Sequence, residues 1–128
     1  MRLLICICFL ALFSSCFQTE RNCSDYKTGT FEFSYLDNGV EKTAKFTRTE
    51  DYSIDFIEGK ADSSSVRWIN DCEFILKKLH PKSTQEAKAI HMKILNTTDN
   101  SYTFEYTYAV KEQNRSNRVE KGVATKID

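Results

Sequence analysis

Along most of this chain apolar residues recur at every second position, the spacing of a strand with one buried face. Phe31, Phe33 and Tyr35 share one face of a first strand, and Asp37-Asn38-Gly39-Val40 follows with Asn-Gly, the strongest two-residue hairpin signal. That turn pairs Asp37 with Val40. It therefore sets Phe33 opposite Ala44 and Phe31 opposite Phe46, with the apolar residues of both strands on one side. An even loop joins residues of opposite parity and an odd loop joins residues of the same parity, so each later turn tests the pattern. Keeping Tyr52, Ile54 and Phe56 on the face of Ala44, Phe46 and Arg48 requires an odd loop at Thr49-Glu50-Asp51, with Phe46 facing Ile54. Residues 58–64 read as a flexible connection into Val66 and Trp68, which places Trp68 near Phe56.

The stretch 66–76 holds the only tryptophan and reads as two strands meeting at Asn70-Asp71. An odd loop, Ile69-Asn70-Asp71 or Asn70-Asp71-Cys72, lets Trp68 and Phe74 share the inner face. After Leu76 comes the single proline, Pro81, and then Ser83-Thr84-Gln85-Glu86, whose S-x-x-E spacing suits the start of one short helix near 83–88. Ile90, Met92 and Ile94 resume the alternation. A turn at 96–100 leads to Tyr102, Phe104, Tyr106 and Tyr108, and another at 114–117 leads to Val119, Val123 and Ile127, with Gly122 marking a bend or bulge.

Eight sequential strands with their apolar residues on one side would expose a wide greasy face as an open sheet. Curling until the first and last strands meet buries that face and removes the edges. The predicted fold is thus all-β, an eight-stranded antiparallel up-and-down barrel, with a β-sandwich as the alternative. Phe31, Phe33, Phe46, Ile54, Phe56, Trp68, Phe74, Met92, Ile94, Phe104 and Tyr106 are expected to line one interior.

The ends of the chain change the picture more than its composition does. Met1-Arg2 precedes the nearly apolar run 3–13, a positive segment and a short hydrophobic core too brief to span a membrane in the mature protein. Residues 1–15 are expected to be a lipoprotein signal peptide, 16–26 a lipid-anchored tether, and 27–128 one barrel domain. A mature chain of about 110 residues suits a single modest core. Eighteen basic residues balance eighteen acidic ones, which leaves no basic footprint for a nucleic-acid backbone. Of five cysteines, Cys6 and Cys8 would leave with the signal. Cys23 and Cys72 would then pair in an oxidising envelope, since His80 and His91 lack zinc-site spacing relative to them.

Leu12-Phe13-Ser14-Ser15-Cys16 resembles the lipobox of bacterial lipoproteins, with Phe13 where leucine is commonest; the resemblance implies lipidation of Cys16. With Thr28-Gly29-Thr30-Phe31, Thr47-Arg48-Thr49 and Trp68-Ile69-Asn70-Asp71-Cys72, nearly the whole chain resembles short uncharacterised lipoproteins of Bacteroidota, of flavobacterial type. Members of that group often carry the name DNA topoisomerase IV. A secretory signal, no Gly-rich phosphate loop and no basic surface argue against that activity here. The architecture is similar to lipocalin-like lipoproteins, and Phe17, rather than aspartate, after the cysteine implies the outer membrane, facing periplasm or cell surface.

No nucleophile elbow, metalloprotease, P-loop or dinucleotide motif occurs, so the chain reads as a non-enzyme with no metal or cofactor. Arg48, Glu58 and Trp68 are the candidate ligand-binding residues. The two charged ones share the parity of the aromatic face, and Arg48 at the mouth would meet an anionic head group. Solvation at a strand end is the simpler account of both, because each charge falls at the end of its strand's alternation and not in the middle. Ile57, Arg67 and Ile75, with His91, are expected to form one outer row, a candidate partner patch unless the helix near 83–88 covers it. The expected partners are a membrane through the lipid and either a small amphipathic molecule or an envelope protein.

Overall fold

The computed structural model describes residues 21–111 and 118–128. The expected signal peptide, Cys16 and the expected turn at 114–117 lie outside them. Eight strands run β1 Gly29–Asp37, β2 Val40–Arg48, β3 Tyr52–Ile57, β4 Lys60–Asn70, β5 Glu73–Lys78, β6 Ile90–Thr97, β7 Ser101–Tyr108 and β8 Glu120–Lys126. Each pairs antiparallel with the next, and β8 returns to β1 to close the barrel. The first hairpin has the expected register, Asp37↔Val40, Phe33↔Ala44 and Phe31↔Phe46. Asn38 and Gly39 both take positive φ, 50° and 79°, as a two-residue turn matched to strand twist demands.

The second turn departs from expectation, and the departure organises the interior. Arg48 pairs with Ser53, and Thr49 closes on Tyr52 through a 2.8 Å backbone hydrogen bond, leaving only Glu50 and Asp51 in the loop. An even loop flips parity. Phe46 lies across from Asp55, not Ile54; Ser53 and Asp55 turn inward, while Tyr52, Ile54 and Phe56 turn outward. Phe56 is 48 % exposed and is not beside Trp68. Glu58 and Gly59 form a second positive-φ turn, so β4 starts at Lys60 where a flexible loop was expected. Asp55 then faces Asp62, and Ser53 faces Ser64, across β3 and β4.

Trp68 pairs with Phe74 on the inner face as expected, though by another route. A β-bulge between Trp68 and Asn70 supplies the odd residue, and Asn70 pairs with Glu73. A second register shift lies between Ile94 and Asn96. On β8 the inner residues are Gly122 and Ala124, opposite Phe104 and Tyr102. Val119, Val123 and Ile127 are exposed, contrary to expectation. Gly122 sits in register rather than at a bend or bulge. Phe104 occupies the space a side chain there would need, with its Cζ 2.6 Å from where a Cβ would stand.

Residues 83–87 form hydrogen-bonded turns and no helix. The S-x-x-E signal is nevertheless used, since the Glu86 amide donates to Ser83 Oγ at 3.1 Å. The segment 79–89 joins β5 to β6 at one end of the barrel. Its Glu86 meets Lys78, and its Gln85 meets Tyr108, so it straps that end and does not cover the outer patch.

The opposite end is closed by residues read from sequence as the end of a tether. Cys23–Tyr26 is a 3-10 helical turn with Cys23 and Tyr26 buried. It is fastened by the Cys23–Cys72 disulfide, by the Asn22 amide donating to Thr97 Oγ1 at 2.8 Å and by Tyr26 Oη donating to the Thr98 carbonyl at 2.6 Å. Above this floor Phe31, Phe46, Ile94, Tyr102 and Ala124 make the buried cluster of the core.

Candidate functional site

The floor does not fill the barrel. Above it a cavity of about 270 Å³ is lined on one side by Phe33, Phe46, Met92 and Phe104, and on the other by Ser53 and Asp55, with Arg48 and Tyr102 at its base. A second compartment of about 240 Å³ continues toward the strap; it shares Asp55, Leu76 and Ile90 and adds Ser64, Lys78, Glu86 and Lys88. The two faces follow from the strand parities. Strands β1, β6 and β7 send in aromatic and aliphatic side chains. The even turn after Arg48 makes β3 and β4 send in Ser53, Asp55, Asp62 and Ser64.

Arg48 is 3 % exposed, so it is not the solvated strand end that simple alternation allowed. Its Nε donates to the Lys27 carbonyl at 3.0 Å, one terminal nitrogen to Tyr102 Oη at 3.1 Å and the other to the Tyr26 carbonyl. Its guanidinium carbon lies 4.8 to 5.7 Å from the ring centroids of Phe74, Phe31, Phe46, Tyr102 and Trp68. A buried cation is tolerable only with such compensation: carbonyls on its donors and aromatic faces around it. The carbonyls belong to the floor. Arg48 therefore ties the 3-10 turn to the barrel wall as well as forming the base of the cavity.

Asp55 is the opposite case. Burial pushes its carboxyl up to about 6, and the neighbouring Asp62 charge pushes the same way, against Lys78, Arg48 and the Ser53 hydroxyl. Asp62 has a cation of its own, Lys78 Nζ at 2.7 Å, which also reaches Glu86 at 3.4 Å. At the rim Lys42 is likewise shared by two carboxylates, Asp37 at 2.6 Å and Glu58 at 2.8 Å.

The other residues singled out from sequence fall elsewhere. Glu58 sits in the exposed rim turn and does not enter the cavity. Trp68 packs on Phe74, with ring centroids 4.5 Å apart, and Lys27 Nζ stands 5.0 Å from its ring; it borders the floor rather than the cavity. Its buried Nε1 has no hydrogen-bond partner among the described residues. In the outer row Arg67 does pair with Ile75, and Ile75 with His91. Ile57 does not belong to it, because it pairs with Lys60 at the rim and has inner-face parity.

Sequence reasoning missed Ser53, Asp55 and Tyr102 as cavity residues. The available signal was the hairpin-like Glu50-Asp51 pair, which competes with a three-residue loop. No group of three metal-ligating side chains assembles among the described residues. Comparison with protein-family models, curated proteins and solved structures finds no match for this chain.

Proposed function

We propose that this chain is a lipid-anchored envelope lipoprotein whose barrel binds a small amphipathic molecule. The observation that carries the reading is the two-faced cavity. A barrel needing only stability would fill its interior with side chains, whereas this one leaves about 270 Å³ between an aromatic wall and a wall carrying Ser53 and Asp55. With the adjoining compartment the space reaches the lower end of ordinary ligand pockets, about 300–1,000 Å³. An apolar wall facing a few placed polar groups suits the hold on an amphipathic molecule, and binding is the role we read from it. Anchoring rests on the signal and lipobox resemblance at Cys16, with several acyl chains as the membrane grip.

Two measurements test this. An environment-sensitive apolar dye should bind the full chain saturably, and Met92→Trp, which fills the cavity from the aromatic side, should abolish that binding while the protein stays folded. Binding unaffected by Met92→Trp would place the dye elsewhere and remove the support. Intact mass of membrane-extracted protein should show acylation at Cys16; an unmodified N-terminus beyond Cys16 would overturn anchoring. Tyr52, Ile54 and Phe56, turned outward on β3, favour a second reading as a protein-binding face, with Tyr52 51 % and Phe56 48 % exposed.

A further inference from the structure

Resting on the reading of the cavity as a ligand site, we infer that its ligand is a hydrophobic amine, whose ammonium meets Asp55 and whose apolar body lies against Phe33, Phe46, Met92 and Phe104.

Three features of geometry carry this. First, Arg48, the cation that would receive a carboxylate or phosphate, is already engaged: it donates to the Tyr26 and Lys27 carbonyls in the floor and to Tyr102 Oη. An anionic head group would have to compete with those fixed partners. Secondly, Asp55 lines both compartments, and the cation nearest the β3–β4 wall, Lys78, is bound to Asp62 and Glu86 instead. Its negative charge is thus the one in the cavity without an ion-pair partner at contact distance among the described residues. Thirdly, the ammonium groups of Lys42 and Lys78 are each straddled by two carboxylates, Asp37 with Glu58 and Asp62 with Glu86, so neither stands open to receive an anion. An ammonium beside Asp55 would also relieve the repulsion from Asp62 across the β3–β4 ladder.

The charged and titratable groups facing Asp55 are Arg48 on β2, Asp62 on β4, Lys78 on β5, Tyr102 and Tyr106 on β7, and Glu86 and Lys88 on the strap. Of these, Asp55 is the carboxyl raised toward neutrality, to about 6. Amine binding should therefore weaken as pH falls through that value, because protonated Asp55 no longer attracts a cation.

The test uses three probes with one carbon frame, 4-phenylbutylamine, 4-phenylbutanol and 4-phenylbutyrate, titrated calorimetrically into the full chain. At pH 8 the amine should bind at least tenfold more tightly than the carboxylate, with the alcohol between them. At pH 5 that advantage should fall several-fold, and Asp55→Asn should remove it at both pH values while leaving alcohol binding in place. Carboxylate binding equal to or tighter than amine binding at pH 8 overturns the inference and leaves the cavity reading standing. An amine preference that persists in Asp55→Asn also overturns it. If none of the three binds, the cavity reading itself falls.

Discussion

Asp55 is a residue whose cost to the fold is set by pH. An unfolded aspartate titrates near its ordinary 3.8, while burial and Asp62 bring the folded group to about 6, so between these values the folded state holds the proton more tightly. Stability from this group is therefore greatest below about pH 4, falls as pH rises toward 6 and is flat above. At about 1.4 kcal/mol per pKa unit the full loss is at most about 3 kcal/mol, reduced by the partial access of solvent. Asp55→Asn should accordingly melt higher than the parent at pH 8 and equally at pH 4. An equal melting temperature at both would mean that the carboxyl is well solvated.

Gly122 offers a second test at the same scale. Alanine there must displace the Phe104 ring, whose Cζ lies 2.6 Å from the new atom, and the cavity is where the ring has room to go. Gly122→Ala should destabilise by about 1–3 kcal/mol and weaken binding of the apolar dye, seen together in a denaturant midpoint and a titration.

At the scale of elements, the first hairpin and the inner faces of β5, β6 and β7 were legible because turn residues and apolar alternation pointed to the same register. Phe31, Phe33, Phe46, Phe74, Met92, Ile94 and Phe104 all lie inside. The pattern failed at β3 and β8, where the larger apolar residues face outward: Tyr52, Ile54 and Phe56 on one, Val123 on the other. Alternation shows that a strand has two faces, and hydrophobicity names the buried one only when the interior is uniformly apolar. In β3 the interior is polar, so Ser53 and Asp55 were hidden by the rule that found their neighbours. Arg48 was placed by its parity, but what it holds was hidden for another reason. Its partners are backbone carbonyls of Tyr26 and Lys27, which no side-chain pattern reports. Because it joins β2 to the floor, Arg48→Ala should cost about 3 kcal/mol, since the buried Tyr26 and part-buried Lys27 carbonyls lose donors at about 1–3 kcal/mol each. Arg48→Lys should not rescue, since an ammonium cannot reproduce the planar spread of donors. Urea midpoints of the two variants decide this, and a cost below about 1 kcal/mol for either would show the floor to be held without it.

For the whole molecule, one covalent bond and one short ladder decide how the cylinder holds together. The Cys23–Cys72 disulfide spans 49 residues and fixes the floor to the turn between β4 and β5. Closing a loop of that size is worth about 4 kcal/mol in the chain-entropy account, so reduction should lower the melting temperature by roughly ten degrees or more. Variation in the unreduced protein's melting temperature with added thiol is the direct measurement. The ladder is the seam between β1 and β8. It has three pairs, Phe31↔Lys126, Glu32↔Thr125 and Phe33↔Ala124, where β1 and β2 have nine. Among the described residues it stops at Phe33↔Ala124, while β7 and β8 continue pairing as far as Tyr106↔Glu120. A hoop that is stitched over part of its height can gape at the unstitched part without tearing any other strand from its neighbour. Among the described residues the cylinder is therefore a sleeve with a slit running down from the rim beside the aromatic wall. Amides of β1 beyond Phe33 that point across it should trade hydrogen for deuterium well before those shared with β2, and a molecule too broad for the strapped mouth would find its passage sideways.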